Sequence, residues 1–293
     1  MRHHILPATT AAAQRSMNTL LLVCALVLGA CGTSTPPSSG APPVNERLAR
    51  AEAMFKERCQ KAGEKIHRTV DNVEGVFLVK VRPKEFAFAN QFLLNDPYGR
   101  DLGGDGYIES FLRGSFQATH RGTPAPGSPP RIGYLYVEAI DPADGKRYRY
   151  TGSMKEVDIV SSVGMGGDGR TKYRVTKFVI DKVPAPGRPP RYGVTYDDIS
   201  TREEREYWIA GSSLRVIDLD TNEVIAERIG YMMDRGQGSG AGDRQPWLLA
   251  AANACPTFQR NPNLPLLVSS AAAAQLYQSL DFVEKVLNAA KEK

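Results

Sequence analysis

Apolar and polar residues alternate with a two-residue period over most of residues 131–233, which is the period of half-buried β-strands. Turn sequences such as DPADG at 141–145 and DTN at 220–222 divide this region into runs rich in tyrosine, valine and isoleucine. Those residue types favour antiparallel strands joined by hairpins. The pattern predicts two four-stranded units, at about 131–181 and 191–233. An earlier apolar run, VEGVFLVKVR at 73–82, predicts another strand that pairs with one of the units.

Both ends of the domain show the spacing of amphipathic helices. We expect Cys59 to face the core, because it belongs to an apolar row at helical spacing formed by Leu48, Phe55, Cys59, Ala62 and Ile66. The run PWLLAAANAC predicts a short helix that starts at Pro246 and stops before Pro256. Residues 269–292 predict a C-terminal helix with the apolar stripe Leu276, Leu280, Val283 and Leu287. The predicted fold class is therefore α+β, an antiparallel sheet packed by N- and C-terminal helices.

The strand region contains an internal repeat. The segments PAPGSPPRIGYLY at 124–136 and PAPGRPPRYGVTY at 184–196 are identical at nine of thirteen positions. In each, Pro-Gly suits a type II turn, and the following Pro-Pro lacks the amide donors that a paired strand needs. The match continues beyond the prolines, where Tyr148, Gly152 and Ser153 correspond to Tyr207, Gly211 and Ser212. We interpret 124–181 and 184–233 as a duplicated structural unit; the alternative is a pair of PxxP ligands for a polyproline-binding partner.

The N-terminus carries a short apolar run that ends in a cysteine. LLLVCALVLGAC at 20–31 is too short to span a bilayer but suits a signal peptide preceded by Arg2 and Arg15. Its last residues, Leu28-Gly29-Ala30-Cys31, resemble the lipobox of bacterial lipoproteins; an ordinary secretory signal with a chance cysteine is the alternative. The resemblance implies that residues 1–30 are removed and that Cys31 is acylated, so its partner is the lipid bilayer. In lipoproteins that are retained in the inner membrane, the residue after the acylated cysteine tends to be Asp. Here it is Gly32, which favours the outer membrane with the domain facing the periplasm.

The same resemblance sets the domain organisation. Residues 31–44 are rich in serine and proline and predict a disordered tether, and residues 45–293 form a single domain. Cys24 leaves with the signal peptide and Cys31 carries lipid, which leaves Cys59 and Cys255 in an oxidising compartment. We predict a disulfide between them, and two separately buried thiols are the alternative.

Charge and aromatic residues suggest surfaces rather than catalysis. Removal of residues 1–30 takes away Arg2 and Arg15 and no acidic residue, which lowers the net charge from +5 to +3. Basic and aromatic residues interleave in KRYRYTGSMK and RTKYRVTK, as on nucleic-acid stacking surfaces. An envelope location argues against nucleic acid and leaves anionic lipid headgroups or cell-wall polymers, with a plain solvated strand face as the alternative.

Several segments resemble ligand motifs but lack their context. Gly164, Gly166 and Gly169 spell GxGxxG, yet a strand-like run follows where a dinucleotide site needs a helix, so we expect a hairpin loop and no cofactor. The segment starting at Asp101 echoes a calcium loop, but Gly103 and Leu112 replace ligand positions, so we expect no metal. The candidate binding loop, placed before a helix start that suits anions, comprises Gly236, Gly238, Gly240, Gly242, Asp243 and Arg244.

These observations favour a non-catalytic protein that binds or scaffolds an envelope protein or a cell-wall polymer in the periplasm. The alternative is a periplasmic hydrolase that uses carboxylates near Asp197 and Glu203. The segments YWIAGSSLRVIDLDTNEVIAERIGYM and PWLLAAANACP are similar to stretches of uncharacterised proteobacterial lipoproteins, which implies no particular activity.

Overall fold

The structure, a computed structural model, describes residues 44–85, 87–118, 133–163, 166–258 and 271–290. The predicted signal peptide, Cys31 and the predicted tether up to residue 43 lie outside the described residues, as does the first of the two predicted Pro-Gly turns. Gly164 of the GxGxxG segment also lies outside them.

Six helices and eleven strands occur in the described residues. The helices are α1 Val44–Cys59, α2 Asp105–Ala118, α3 Arg202–Glu206, α4 Pro246–Ala250, α5 Ala271–Gln275 and α6 Gln278–Glu284. The strands are β1 Gly63–Ile66, β2 Val70–Val73, β3 Gly75–Leu78, β4 Tyr136–Ile140, β5 Arg147–Val160, β6 Lys172–Pro184, β7 Tyr192–Asp198, β8 Ile209–Asp218, β9 Glu223–Met233, β10 Ala254–Cys255 and β11 Leu287–Ala289.

Nine of these strands form one sheet in the order β1-β9-β8-β7-β3-β4-β5-β6, with β10 also paired to β9. All of its pairings are antiparallel except those of β3, which runs parallel to both β4 and β7. The remaining strands, β2 and β11, form a separate parallel pair. The prediction of a mixed fold with a mainly antiparallel sheet is therefore confirmed.

The predicted early strand lies at the centre of the sheet rather than beside one unit. Phe77 of β3 is opposite Glu138 of β4 on one side and opposite Gly193 of β7 on the other. Each of these neighbours starts an antiparallel meander that runs outward, β4-β5-β6 on one side and β7-β8-β9 on the other. The four residues of β3 thus join the two halves of the sheet.

Each repeat segment contains three strands where the alternation predicted four. KRYRYTGS and KEVDIVSSV belong to the single strand β5, and YWIAGS and LRVIDL are likewise joined in β8. Gly152 and Gly211, which correspond in the repeat, leave room for aromatic rings: an added Cβ would lie 2.1 Å from Phe178 and 2.4 Å from Tyr231. Glycine here serves close packing inside a strand rather than a turn.

Helix α1 is shorter than the apolar spacing predicted. It ends at Cys59, and Gly63, with φ of 152°, begins β1 four residues later. Ile66, which we expected on the helix, lies in β1 opposite Ala226 and is 41% exposed. Because a vacant edge of β9 is available for backbone hydrogen bonds, strand pairing overrides the helical period here.

The C-terminal helix predicted over 269–292 is divided into α5 and α6, and it ends at Glu284. The expected stripe is buried as predicted at Leu280, Val283 and Leu287. Leu287, however, lies in β11, where it pairs with Val70 and its carbonyl accepts a hydrogen bond from the Tyr134 hydroxyl at 2.7 Å. The apolar spacing identified which residues are buried but not the backbone that carries them.

The hydrophobic core covers both faces of the sheet. Alternate residues of β9 face opposite ways, so Tyr231 and Met233 pack with Ala51 of α1 while Met232 packs with Trp247 of α4. The largest cluster packs the central strands against α2 and α6. Helices from the two ends of the chain therefore hold the sheet between them.

The predicted disulfide is present. Cys59 at the end of α1 bonds to Cys255 in β10, with a Cα–Cα distance of 5.5 Å and a sequence separation of 196 residues. Cys255 is not at the end of a helix as expected, because the chain leaves α4 through a short 3-10 turn and pairs Cys255 with Tyr231 of β9. The bond ties α1 to β10, which is paired to β9, the strand that α1 packs on.

Loss of this disulfide is expected to lower the free energy of unfolding by up to about 5 kcal/mol, because reduction frees a loop of 196 residues in the unfolded chain. The measurement is urea-induced unfolding of the purified chain with and without reductant. The double variant Cys59→Ser and Cys255→Ser is the matched control, and its midpoint should not respond to reductant. A wild-type midpoint that reduction leaves unchanged would contradict this role.

Candidate functional site

The predicted glycine loop follows β9 and surrounds an acidic side chain of the protein itself. Asp234 is 1% exposed, and its carboxylate accepts hydrogen bonds from the backbone N–H of Gly236 at 3.0 Å and of Gly238 at 2.9 Å. The Arg244 guanidinium donates to the same carboxylate at 2.6 Å. The loop therefore has the anion-binding groups that the sequence suggested, and Asp234 occupies them.

The glycines of the loop have different roles. An added Cβ would lie 2.2 Å from the Arg244 guanidinium at Gly236 and 2.2 Å from the Trp208 indole at Gly238. Trp208 in turn packs on Trp247, with ring centroids 4.9 Å apart. By contrast, Gly240 and Gly242 have open space at the Cβ position, and Asp243 is exposed. The inner half of the loop is thus a packing element, and its outer half is a solvated rim.

The carboxylates of the hydrolase alternative do not form a catalytic pair. Asp197 and Asp198 are adjacent in β7 and therefore point to opposite faces of the sheet. Burial alone would raise the pKa of Asp197, but its contacts with Lys80 and Arg215 outweigh burial and lower that pKa. Glu203 is paired with Arg50 at 2.8 Å on an exposed surface. Both candidate acids are neutralised by separate cations.

The neighbouring acid, Glu204, has a structural role. Its carboxylate accepts a hydrogen bond from the Thr201 backbone N–H at 2.6 Å, and the Thr201 hydroxyl accepts one from the Glu204 N–H at 3.1 Å. This capping box starts α3, and Arg58 of α1 also contacts the Glu204 carboxylate. The acidic turn after β7 therefore fixes α3 against α1.

A buried ionic cluster that the sequence did not indicate lies between β3 and α6. Arg82 is 3% exposed; its guanidinium contacts Asp96 at 2.9 Å, stands 4.0 Å from Asp101, and lies on the ring of Tyr196. Asp101, the first residue of the calcium-like segment, accepts a hydrogen bond from the Ser279 N–H at 3.0 Å. The calcium-like segment therefore contributes a buried side chain to the protein interior. Among the described residues, no three acidic, histidine or cysteine side chains are grouped as a metal would need.

Charge balance explains the titration of this cluster. One guanidinium faces two carboxylates, so one carboxylate lacks full compensation in a site without water. Burial raises the pKa of Asp101 to about 7, although Arg82 and the hydrogen bond from Ser279 act in the opposite direction. The unfolded chain has the ordinary value near 3.8, so the folded state binds the Asp101 proton more tightly.

This difference predicts that the Asp101 contribution to stability is present at low pH and is lost as the pH rises from about 4 to 7. The loss is up to about 4 kcal/mol, because each pKa unit corresponds to 1.36 kcal/mol. Urea unfolding of the wild type and of Asp101→Asn at pH 4.5 and pH 8 measures it. Asp101→Asn should have the smaller decrease between the two pH values, whereas the exposed control Asp243→Asn should follow the wild type. Parallel curves for wild type and Asp101→Asn would refute the assignment.

Strands β5 and β6 extend well beyond the rest of the sheet. Strand β4 pairs only with residues 147–150 of β5, and the next ten residue pairs, from Thr151 opposite Asp181 to Val160 opposite Lys172, bond to each other alone among the described strands. At about 3.3 Å per residue this two-stranded ribbon, 151–160 with 172–181, is about 30 Å long. It contains most of the second basic and aromatic segment, RTKYRVTK, whereas the KRYRY part of the first segment precedes it, where β5 still pairs with β4.

The base of the ribbon is firmly held. Glu138 of β4 has a fully buried side chain, which pairs with Arg149 at 2.8 Å and with Arg147 at 3.2 Å. Arg149 also lies over the ring of Tyr136 at 3.9 Å. These contacts fix the direction in which β5 leaves the sheet.

The far end of the ribbon exposes apolar and basic side chains. Val160 is 49% exposed, Tyr173 is 47% exposed, and Val163 in the connecting loop is 72% exposed. Some ribbon charges are paired, as in Lys155 with Asp181 at 2.8 Å and Arg174 with Asp158 at 3.1 Å. Three cations form no ion pair with any residue that the structure describes: Arg170, Lys172 and Lys177. Val160 is opposite Lys172 and Tyr173 is opposite Ile159, so the tip exposes apolar and basic side chains on both faces of the ribbon.

Comparisons with protein-family models, with curated proteins and with solved structures found no match to this chain. No helix within the described part of the chain is both long and apolar enough to cross a bilayer. The function must therefore be argued from the geometry of the chain itself.

Proposed function

We propose that the protein is an outer-membrane lipoprotein, anchored through acylated Cys31, whose periplasmic domain binds another envelope protein and catalyses no reaction. The lipobox Leu28-Gly29-Ala30-Cys31 and the Ser/Pro-rich tether support the anchor. Two acyl chains hold a protein stably on a membrane without a spanning helix. Gly32 supports the outer membrane over the inner one.

The ribbon carries the binding role. A two-stranded ribbon outside a sheet is only marginally stable in water. Of the ten residue pairs of this one, the inner part packs on the core through Phe178 and Ile180, whereas the outer part does not. Its tip exposes Val160, Val163 and Tyr173, whose apolar surfaces would be stabilised by burial against a partner. The outer edge of β6 has no partner strand among the described residues, so its backbone groups are free to bond to an added strand. A protein surface satisfies both features, whereas a polysaccharide satisfies the apolar tip less well.

The contacts of the acidic residues are more consistent with a binding protein than with a hydrolase. Retaining and inverting glycosidases need two facing carboxyl groups with different pKa values. Here Asp197 contacts Lys80 and Arg215, and Glu203 contacts Arg50. Each acid is therefore already engaged by a cation that substrate would have to displace.

We also propose that the two meanders derive from one duplicated unit, of three strands rather than four. Gly152 on β5 accommodates Phe178 of β6, and Gly211 on β8 accommodates Tyr231 of β9. These glycines correspond in the sequence repeat, lie on the middle strand of each meander, and face an aromatic ring of the third strand. The insertion of α3 between β7 and β8 distinguishes the second copy from the first, which has a turn at 141–146.

Acylation of Cys31 predicts incorporation of an alkyne-labelled fatty acid into the protein in growing bacteria. The Cys31→Ser variant should lose the label, because serine lacks the thiol that accepts diacylglycerol. The control Cys24→Ser changes a cysteine of the signal peptide and should keep the label. Label on Cys31→Ser, or none on the wild type, would exclude the anchor.

The binding role predicts that a photocrosslinking amino acid at Tyr173 forms an adduct of defined mass in whole cells. Ile159→Asp, opposite Tyr173 on the same face of the ribbon, should remove most of the adduct, because a charge there costs desolvation energy in an apolar interface. Leu93→Asp, a matched change at a 67% exposed apolar residue elsewhere, should leave it intact. An adduct that resists protease but is released by a muramidase would identify the cell wall and overturn the proposal of a protein partner.

A further inference from the structure

A groove of about 460 Å³ lies between two helical segments. We call it the Arg100 groove. Its described lining consists of seven apolar residues and one arginine: Leu248, Leu249, Ala252, Ala271, Ala272, Ala273, Leu276 and Arg100. The residues come from α4 and the 3-10 turn after it, from α5 and from the loop before α2. Its volume falls in the range of about 300–1,000 Å³ that is typical of small-molecule sites.

Arg100 is half-buried in this groove, and its Nε atom has no hydrogen-bond acceptor. The guanidinium lies over the ring of Phe88 at 4.5 Å, which fixes its plane. It forms no ion pair with a described residue, and burial lowers its pKa. A cation in an apolar site is unfavourable unless an anion lies beside it, so an anionic ligand would stabilise Arg100.

Other buried or half-buried arginines differ from Arg100 in having a carboxylate nearby, although Arg82 and Arg205 also have nitrogen atoms without an acceptor. Each has a carboxylate within 4.0 Å: Arg82 has Asp96, Arg205 has Asp198, Arg228 has Glu64 and Arg244 has Asp234. This contrast indicates that the missing anion at Arg100 comes from outside the described chain.

We propose that the Arg100 groove binds a single-chain anionic amphiphile, with its acyl chain on the leucine and alanine side chains and its anionic head on the Arg100 guanidinium. The anionic head of the ligand is inferred from charge complementarity, because the described lining contains one cation, Arg100, and no acidic residue. The lining offers almost no polar side chains, which argues against a sugar or a peptide. Exposed Leu249, at 44%, gives the groove an apolar rim. This site is separate from the ribbon and goes beyond the proposed function.

The head group is a carboxylate or a phosphate, both of which pair with a guanidinium through two parallel hydrogen bonds. A free fatty acid supplies the first and a lysophospholipid the second. Both sources share the chemistry that the groove recognises, and the ligands used in the test distinguish them.

The test is isothermal titration calorimetry of the full mature chain with Cys31→Ser, which carries no acyl chain of its own. The titrants are dodecanoate, dodecyl phosphate and dodecanol below their micelle concentrations. Saturable binding with one site is expected, and one of the two anions should bind at least about tenfold more tightly than dodecanol, as one charge-assisted pair implies. The tighter anion identifies the head group.

Two variants assign the site. Arg100→Met keeps a long apolar side chain and should remove the preference for the anion while leaving dodecanol binding unchanged. Ala272→Trp fills the groove and should abolish binding of all three titrants. Arg235→Met removes a surface charge paired with Glu52 and should change nothing. Circular dichroism melting curves establish that each variant is folded.

The proposal is overturned if the wild type shows no saturable binding, or if it binds dodecanoate, dodecyl phosphate and dodecanol equally. It is also overturned if Arg235→Met weakens anion binding as much as Arg100→Met does, since that would indicate attraction to net charge alone. If Arg100→Met does not fold, Ala272→Trp and the comparison with dodecanol still decide the question.

Discussion

The pairing of β3 with two parallel neighbours is the constraint on which the rest of the sheet depends. Only four residues, Gly75–Leu78, bond to β4 on one side and to β7 on the other. A Cβ at Gly75 would lie 2.4 Å from the Tyr136 ring, so the strand can approach β4 only because its first residue is glycine. Each meander then runs outward by antiparallel hairpins, and the ribbon and the disulfide-bonded edge end on opposite sides of the sheet.

The acidic residues of the predicted sites mostly form hydrogen bonds and ion pairs within the fold itself. Asp234 closes the glycine loop, Glu204 caps α3, and Glu138 holds two arginines at the base of the ribbon. These contacts explain why motifs that suggested chemistry in the sequence are structural in the protein. Two features lie apart from these contacts: the exposed apolar residues at the tip of the ribbon, and Arg100, a cation that forms no ion pair with a described residue.

Local patterns in the sequence predicted what depends on local physics. The strands, the helix start at Pro246, the burial of Leu280 and Val283, and the bond between the last two cysteines were all predictable. The placement of Ile66 and Leu287 in strands rather than helices was not predictable, because it depends on which strand lies nearby to pair with. The Arg82 cluster and the Arg100 groove were also missed. The contacts of Arg82 with Tyr196 and of Asp101 with Ser279, like the approach of Arg100 to α4, join residues more than a hundred positions apart, and no spacing rule connects them.

The disulfide also determines how the domain would respond to mechanical load. A pull applied at the start of α1 can extend at most the sixteen residues of that helix before it reaches the bond at Cys59. From there the force passes directly to Cys255 and into β9, an interior strand that pairs with β8 along its length. Tension from the N-terminal side of the described domain is therefore transmitted to a strand that is hydrogen-bonded on both edges, to β8 on one and to β1 and β10 on the other.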